Sequence, residues 1–392
     1  MSAQTAPLPW LAWLALLGCG LAGCHSAHAQ EPGQAAQAAR YWASTRSVTV
    51  ELRKSSQTIC PRAPVQVSVL VDGREAKKEA RTSLDVAFRS RQGAFDENGF
   101  FTPHTGLRPT IAAPYEITAE FGPRPAEFSF VASYKPDYAC IRTAGHGGAL
   151  GTRGSDGDDG ARGSAGSDGG TYGDGRPGDA GGRGRSGDSG ADGAAGPHIV
   201  AYTTFVATPF YEKLLAVKLE GDVEDFVLAP ADRVLVLDAS GGAGGAGGAG
   251  GHGGSGGKGG NGGLRNGNGG DGGNGGAGGD GGNGGRGGAG GLLEIVYDAR
   301  FPELLSLLSA DVSGGRGGAA GNSGPGGNLG FGGSGRFTSG QWGIRGGEGR
   351  TGDPGKAGAP GVTMKRAASV EPSFAGIEGL TVFRAGTQTA GR

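Results

Sequence analysis

Alternating apolar and polar residues mark the first long folded stretch of the chain, residues 42–142. Every second residue is apolar in five short runs, at 48–52, 65–71, 84–88, 115–121 and 128–134. A period of two is typical of strands that bury one face. Turn dipeptides such as Asp72-Gly73 and Asn98-Gly99 stand between the runs. The pattern therefore predicts a β-sandwich of short antiparallel strands with one core.

A different period, of three residues, governs much of the remaining chain. Glycine accounts for 89 of 392 residues and is concentrated in three tracts, 143–196, 241–291 and 314–361. In the first and third tracts glycine recurs at every third position, and in the second it fills two positions of three. The three-residue glycine repeat is interrupted near the middle of each tract, at Tyr172, at Leu264-Arg265-Asn266 and around Phe337. We call this repeat the frame of the tract. The interruptions divide the tracts into six segments.

A three-residue period matches polyproline-II geometry, in which one residue in three points to the same side. The fold class predicted for the tracts is a polyglycine-II bundle of three hairpins and six helices. The second tract, with two glycine faces, is expected to lie innermost. A trimeric collagen-like stalk and a disordered linker are the alternatives. The scarcity of proline and the mid-tract breaks favour the bundle.

Three apolar pieces lie at the ends of the tracts, at 197–240, 292–313 and 362–392. Each contains a strand-like run, such as Val234 to Leu237 or Leu293 to Tyr297, and the second also contains a short helical pattern after Pro302. We expect these pieces to pair into a small α/β platform from which the hairpins project.

An apolar run of about ten residues, at 8–17, opens the chain. It has the length of a signal-peptide core and is too short to cross a bilayer as a helix. Residues 1–23 are predicted to be a signal peptide, followed at 24–41 by an Ala- and Gln-rich tether.

The run ends in Leu21-Ala22-Gly23-Cys24, which resembles the lipobox of bacterial lipoproteins. The resemblance implies cleavage before Cys24, a lipid on its thiol, and attachment to the cell envelope. Because His25 rather than aspartate follows, the family pattern favours the outer membrane or cell surface. Two other sites stay open: a poorer lipobox ending at Cys19, and Ala27-His28-Ala29, which suits ordinary secretion.

The cysteine count agrees with lipidation at Cys24. Cleavage there removes Cys19 and leaves Cys60 and Cys140 as one pair. In an oxidising compartment these two residues are predicted to form a disulfide.

Two further resemblances concern the body of the chain. Residues 352–361 resemble collagen-like repeats, and the second tract resembles the repeats of mycobacterial glycine-rich surface proteins and of the snow-flea antifreeze protein. The segment from Gly93 to Gly99, with Thr102-Pro103, is similar to bacterial Ig-like repeats of adhesins. This last resemblance implies an Ig-like sandwich over 42–142.

The sequence offers no catalytic constellation and no cofactor motif. The six histidines lack metal-ligand spacing, and the net charge of −1 gives no reason to expect nucleic acid. Calcium at Asp156, Asp158 and Asp159 stays open, although interleaved arginines favour a solvated face. We therefore expect a non-enzymatic, lipid-anchored structural or adhesive protein without cofactors. It is expected to be monomeric (trimeric if collagen-like) and to bind a surface protein or glycan. A secreted glycan- or ice-binding protein is the alternative.

Overall fold

The computed structural model describes residues 46, 48–52, 57–72, 74–75, 86–104, 106–121 and 129–384. The predicted signal peptide, lipobox and tether lie outside these residues. The described part is built mainly of strands, which are β1 Val48–Leu52, β2 Thr58–Ile59, β3 Val65–Val71, β4 Arg74–Glu75, β5 Val86–Arg89, β6 Gly93–Phe95, β7 Phe100–Pro103, β8 Tyr115–Phe121, β9 Ser129–Pro136, β10 Thr143–Gly145, β11 His198–Thr208, β12 Tyr211–Gly221, β13 Asp225–Pro230, β14 Leu235–Asp238, β15 Leu292–Asp298, β16 Leu308–Asp311, β17 Val362–Ala368 and β18 Thr381–Val382. Helix is confined there to short turns at Pro109–Ala112, Tyr138–Cys140, Pro302–Leu307 and Glu371–Phe374.

The described residues fall into two compact units. Of the described residues, the smaller takes 46, 48–51, 68–72, 74–75, 86–87, 119–121 and 129–130. The larger takes 52, 57–67, 88–104, 106–118 and 131–384. In the smaller unit the end of β3 pairs antiparallel with β4, with Leu70 opposite Glu75. Val50, Val69 and Ala119 are buried there.

The larger unit begins with strands of the predicted sandwich region. The first residues of β3 pair with β7, which pairs in turn with β6, and a second sheet has the order β2-β9-β8-β5. Phe101 lies between Phe95, whose ring is tilted to it with centroids 5.0 Å apart, and Tyr115, which it meets edge to face at 5.8 Å. The alternating pattern therefore did identify β-strands, as expected for half-buried runs.

Two further sheets form the base of the glycine tracts. One has six strands in the order β13-β12-β11-β15-β17, with β18 pairing β11. The other has three parallel strands in the order β10-β14-β16. These strands contribute to a buried apolar cluster, which includes Ile199, Phe205, Leu215, Leu237 and Leu293.

Each glycine tract leaves one of these sheets and returns to the other. The outgoing halves follow β10, β14 and β16, whose last residues Gly145, Asp238 and Asp311 are in register. The returning halves enter β11, β15 and β17, whose first residues His198, Leu292 and Val362 are also in register. Because parallel strands align the starts and ends of the tracts, the triplets of neighbouring tracts meet at matching heights.

The six half-tracts are extended segments that hydrogen-bond to one another side by side. We name them by tract and direction, outgoing (a) and returning (b): 1a 148–169, 1b 175–196, 2a 241–263, 2b 269–291, 3a 314–335 and 3b 340–361. Neighbours of the same direction form two layers, 1a-2a-3a and 1b-2b-3b, and antiparallel bonds join the layers. We call the whole the glycine-rich array.

Segments 2a and 2b each bond to four neighbours, because both glycines of their triplets donate sideways. In 2a, for example, Gly244 donates to the carbonyl of Arg316 in 3a, and Gly245 donates to that of Ala191 in 1b, both at 2.8 Å. The carbonyl of Ala246 accepts from Gly154 of 1a at 2.8 Å. The outermost segments 1a and 3b bond to two neighbours each. Two donating glycines per triplet are thus what a segment with neighbours on several sides requires.

The predicted fold class is wrong. The described chain is mostly β-strand in several sheets with very little helix, so the six-helix polyglycine-II bundle is not shown. The N–H groups of the tract glycines donate to neighbouring segments. Polyproline-II helices also lack internal hydrogen bonds, so the three-residue period alone could not distinguish such helices from extended segments that bond side by side. The α/β platform is wrong as well. Its strands lie in all-β sheets, and the helical pattern after Pro302 is a short 3₁₀ turn.

Candidate functional site

The three turns that reverse the tracts form the candidate site. They comprise residues 170–173, 264–267 and 335–339, which we call the turn surface. Glycines with positive φ make two of the reversals possible, at Gly170 (φ 58°) and Gly267 (φ 144°), a backbone region that side-chain-bearing residues rarely adopt. Each turn falls where the sequence loses its three-residue frame.

Backbone hydrogen bonds join the three turns into one continuous surface. The N–H of Arg265 donates to the carbonyl of Thr171 at 3.2 Å, which links the second turn to the first. The N–H of Arg336 donates to the carbonyl of Gly267 at 2.8 Å, which links the third turn to the second. Thr338 adds a side-chain bond to Asn268 at 2.7 Å. The turns therefore hold one another in place.

Each turn carries one large apolar side chain that is mostly exposed. Tyr172 is 62% exposed, Leu264 89% and Phe337 71%. A single exposed apolar residue is ordinary on a protein surface. Three of them stand on turns that bond to one another, and exposed apolar residues that are grouped in this way can mark an interaction site.

A second exposed aromatic group lies just below the third turn, on segments 3a and 3b. The rings of Phe331 and Trp342 meet edge to face with centroids 5.2 Å apart, and Ile344 stands nearby in sequence. All three side chains are more than half exposed. We call these residues the aromatic flank. The flank extends the apolar character of the turn surface along one side of the array.

The turn surface itself carries positive charge only. Arg265 and Arg336 lie within it, and none of its residues is acidic. The nearest aspartates, Asp168 and Asp174, lie just below the first turn and accept backbone N–H groups of Asn261 and Asn268 at 2.6 and 2.7 Å. These carboxylates therefore act as hydrogen-bond acceptors for backbone N–H groups of neighbouring segments.

The same use of carboxylates bears on the calcium alternative. Asp156 and Asp159 accept the backbone N–H groups of Ala249 and His252, each at 2.8 Å, and Asp158 pairs with Arg185 at 3.4 Å. Across the part of the chain that the structure describes, no group of three His, Cys, Asp or Glu residues could hold a metal ion. These aspartates are thus hydrogen-bond acceptors of the array.

The other residues predicted from the sequence lie elsewhere. Cys60 and Cys140 are at disulfide distance, with their Sγ atoms 2.06 Å apart, and they join the start of the larger unit to the turn before β10. Close by, Arg62 holds both carboxylate oxygens of Asp225, at 2.7 and 2.6 Å. Cys24 lies outside the described residues.

A buried carboxylate at the end of β15 is a second cluster with distinctive electrostatics. Asp298 accepts a hydrogen bond from Thr204 at 2.8 Å and two from the guanidinium of Arg300 at 2.9 and 2.7 Å. Burial of the carboxyl raises its pKa, but the bonds from Arg300 and Thr204 outweigh that effect and hold the pKa of Asp298 below its usual value. Arg300 also approaches Glu371, at 3.7 Å. This saturated network fixes β11, β15 and the helix Glu371–Phe374 relative to one another.

Beside the network lies a groove of about 790 Å³, lined by residues that include Thr208, Phe374 and Phe383. Glu212 also lines the groove, and the charged residues Glu371 and Arg384 pair with each other at 3.3 Å. The groove thus presents hydroxyl and carboxylate side chains between apolar walls.

Sequence reasoning located the turns but missed the side chains that they display. Tyr172, Leu264 and Phe337 interrupt the frame, and that interruption is the signal that could have identified them. A large apolar residue at a reversal has no neighbouring segment to cover it.

Comparison of the chain with protein-family models, with curated proteins and with solved structures finds no match. Among the residues that the structure describes, no helix has the length and apolar character needed to cross a bilayer.

Proposed function

We propose that this chain is an exported structural or adhesive protein without catalytic activity, held at the bacterial cell surface by a lipid on Cys24. In this proposal the glycine-rich array is a rigid support, and its turn surface is the part that meets a partner. The observation that carries the proposal is the exposure of Tyr172, Leu264 and Phe337 on turns that bond to one another.

The construction of the array supports a mechanical role. Its segments bond sideways at each triplet, and the array is continuous with the two basal sheets. A network of repeated backbone bonds resists shear better than a flexible glycine linker, which holds no fixed geometry. Such a support suits a protein that must present a surface at a distance from its anchor.

The alternatives differ in what they require of the array. A trimeric collagen-like stalk needs three chains, whereas the tract glycines here find their acceptors within one chain. A secreted glycan- or ice-binding protein needs no lipid on Cys24. Lipidation of Cys24 therefore distinguishes these alternatives and is the first property to test.

Replacing Cys24 with alanine tests the proposal in living cells. We expect Cys24→Ala to abolish metabolic palmitate labelling, to release the protein from the membrane fraction, and to remove any attachment of the producing cells to surfaces. The matched control is Cys19→Ala, which should keep label, location and attachment. Equal labelling of Cys24→Ala and the parent would exclude the anchor. Attachment that is identical with and without the protein would exclude the adhesive role.

A further inference from the structure

We infer that the turn surface docks onto an anionic lipid surface, with the side chains of Tyr172, Leu264 and Phe337 entering the headgroup region. This inference rests on the proposed adhesive function and names the chemistry of the partner. It follows from the shape, the backbone and the charge of the turns.

The shape of the turn surface suits a soft, extended partner. Its three large apolar side chains stand on three separate reversals and are 62–89% exposed. A pocket for a small ligand buries most of that ligand within concave walls. Projecting side chains instead bury their own apolar area when they enter an interface, as interfacial anchors do. Trp342 in the aromatic flank adds a residue type that is enriched at membrane–water boundaries.

Some backbone donors of the turns are already bonded within the array. An N–H group without a partner is costly when it leaves water. Three N–H groups of the turn surface are bonded within the array: Gly173 donates to Gly169 at 2.7 Å, Arg265 to Thr171 at 3.2 Å and Arg336 to Gly267 at 2.8 Å. The turns can therefore approach a bilayer without leaving these donors unpaired in a medium of low polarity.

Charge selects an anionic surface over a neutral one. Arg265 and Arg336 are the charged residues of the turn surface, and each lies next to an exposed apolar side chain, Leu264 or Phe337. Basic groups beside interfacial apolar residues are attracted to anionic lipid headgroups.

Vesicle capture tests the inference with the anchored protein. The lipoprotein is held in neutral phosphatidylcholine vesicles and mixed with acceptor vesicles of phosphatidylcholine alone or enriched in phosphatidylserine. We expect capture of the phosphatidylserine vesicles, measured by energy transfer between labelled vesicles. Capture should weaken at 1 M salt, because the Debye length, the distance over which charges attract, falls to about 3 Å.

Two variants test whether vesicle capture depends on the turn surface or on the rest of the array. Leu264→Asp with Phe337→Asp should lower capture about tenfold or more, because two apolar anchors are lost. Leu150→Asp is the matched control, since Leu150 is 75% exposed on the same array but lies at the end next to the sheets. It should capture vesicles like the parent. Equal unfolding midpoints for all variants would show that each is folded.

Three results would overturn the inference: no capture by the parent, equal capture of neutral vesicles, or equal loss in Leu150→Asp. If vesicle capture fails while the paired turn variant still abolishes attachment of cells to glycan-coated surfaces, the partner is a glycan and the adhesive function stands. If capture succeeds while cell attachment is unaffected by Cys24→Ala, the lipid docking stands and the adhesive function falls.

Discussion

At the scale of a single residue, a tract glycine matters for the side chain that it lacks. A Cβ on Gly257 would overlap the carbonyl oxygen of Ser164 in segment 1a, and one on Gly273 would overlap that of Asp179 in 1b. Both glycines also donate to neighbouring carbonyls, Gly257 to Asp179 at 2.8 Å and Gly273 to Gly257 at 2.9 Å. The missing side chain is therefore what allows the backbones to bond.

Replacing such a glycine should loosen the array locally. We expect Gly257→Ala to lower the free energy of unfolding by about 1–3 kcal/mol, because two segments must move apart to admit the methyl group. Ala246→Ser, at the side-chain-bearing position of the same segment, is the control and should change it little. Denaturant unfolding measures both, and an unchanged midpoint for Gly257→Ala would contradict the close packing. Asn274 would be a poorer control, since its side chain accepts the N–H of Ile344 at 2.8 Å.

Some residue-level features could be derived from the sequence and others could not. The cysteine count singled out Cys60 and Cys140 because few pairings were available. The broken frame predicted reversals near Tyr172, Leu264 and Phe337. The bonds that join these turns arise between residues that are about 70 to 95 positions apart, as for Arg265 and Thr171, and a local pattern carries no information on them.

At the scale of elements, the end of β15 depends on one buried carboxylate. Asp298 is bonded by Thr204 of β11 and by Arg300 of the following loop. Because its pKa is lower in the folded protein than in the unfolded chain, its ionised form stabilises the fold. That contribution is complete above the unfolded pKa, about 3.9, and is lost as the pH falls through the lower folded value.

Asp298→Asn should therefore change both stability and its pH dependence. At neutral pH we expect the variant to be less stable by about 3 kcal/mol, because Arg300 loses the nearer of its two carboxylate partners and keeps only Glu371, at 3.7 Å. The difference between parent and variant should shrink as the pH falls below about 4. Thermal unfolding from pH 2 to pH 7 measures this, with Asp232→Asn, an exposed aspartate, as the control. Parallel pH profiles for parent and Asp298→Asn would contradict the assignment.

Element types were predicted well where the period was clear and poorly where it was not. Alternation over 42–142 corresponds to strands such as β3 and β8. After Pro302 the apolar residues fitted a helix, but the chain forms only a 3₁₀ turn before entering β16. Pairing of β16 with β14 fixes the following residues as strand, and a distant partner of this kind cannot be seen in a short stretch of sequence.

At the scale of the whole molecule, the glycine tracts find their hydrogen-bond partners within one chain. Donors in 1a bond to 2a, donors in 2a bond to 3a and 1b, and the returning layer repeats this arrangement. A second copy is therefore not needed to complete the array.

We accordingly expect the exported protein, freed of its lipid, to have the mass of one chain in solution. Light scattering after size-exclusion chromatography measures that mass across a dilution series. The reduced and alkylated protein is a useful companion sample, because it tests whether loss of the Cys60–Cys140 bond causes association. A stable trimer that dissociates in the same thermal transition as the array would contradict the single-chain arrangement.

The shared register of the strands beneath the tracts has a consequence for how this protein can vary between relatives. Because Gly145, Asp238 and Asp311 start the outgoing segments level with one another, the three hairpins grow from a common baseline. Added length is tolerated only in whole triplets, each advancing a segment by at most about 10 Å, and only when both halves of a hairpin gain it together. A single inserted residue would rotate every later side chain onto a glycine-only side. Related chains should therefore differ in the length of their half-tracts by multiples of three residues.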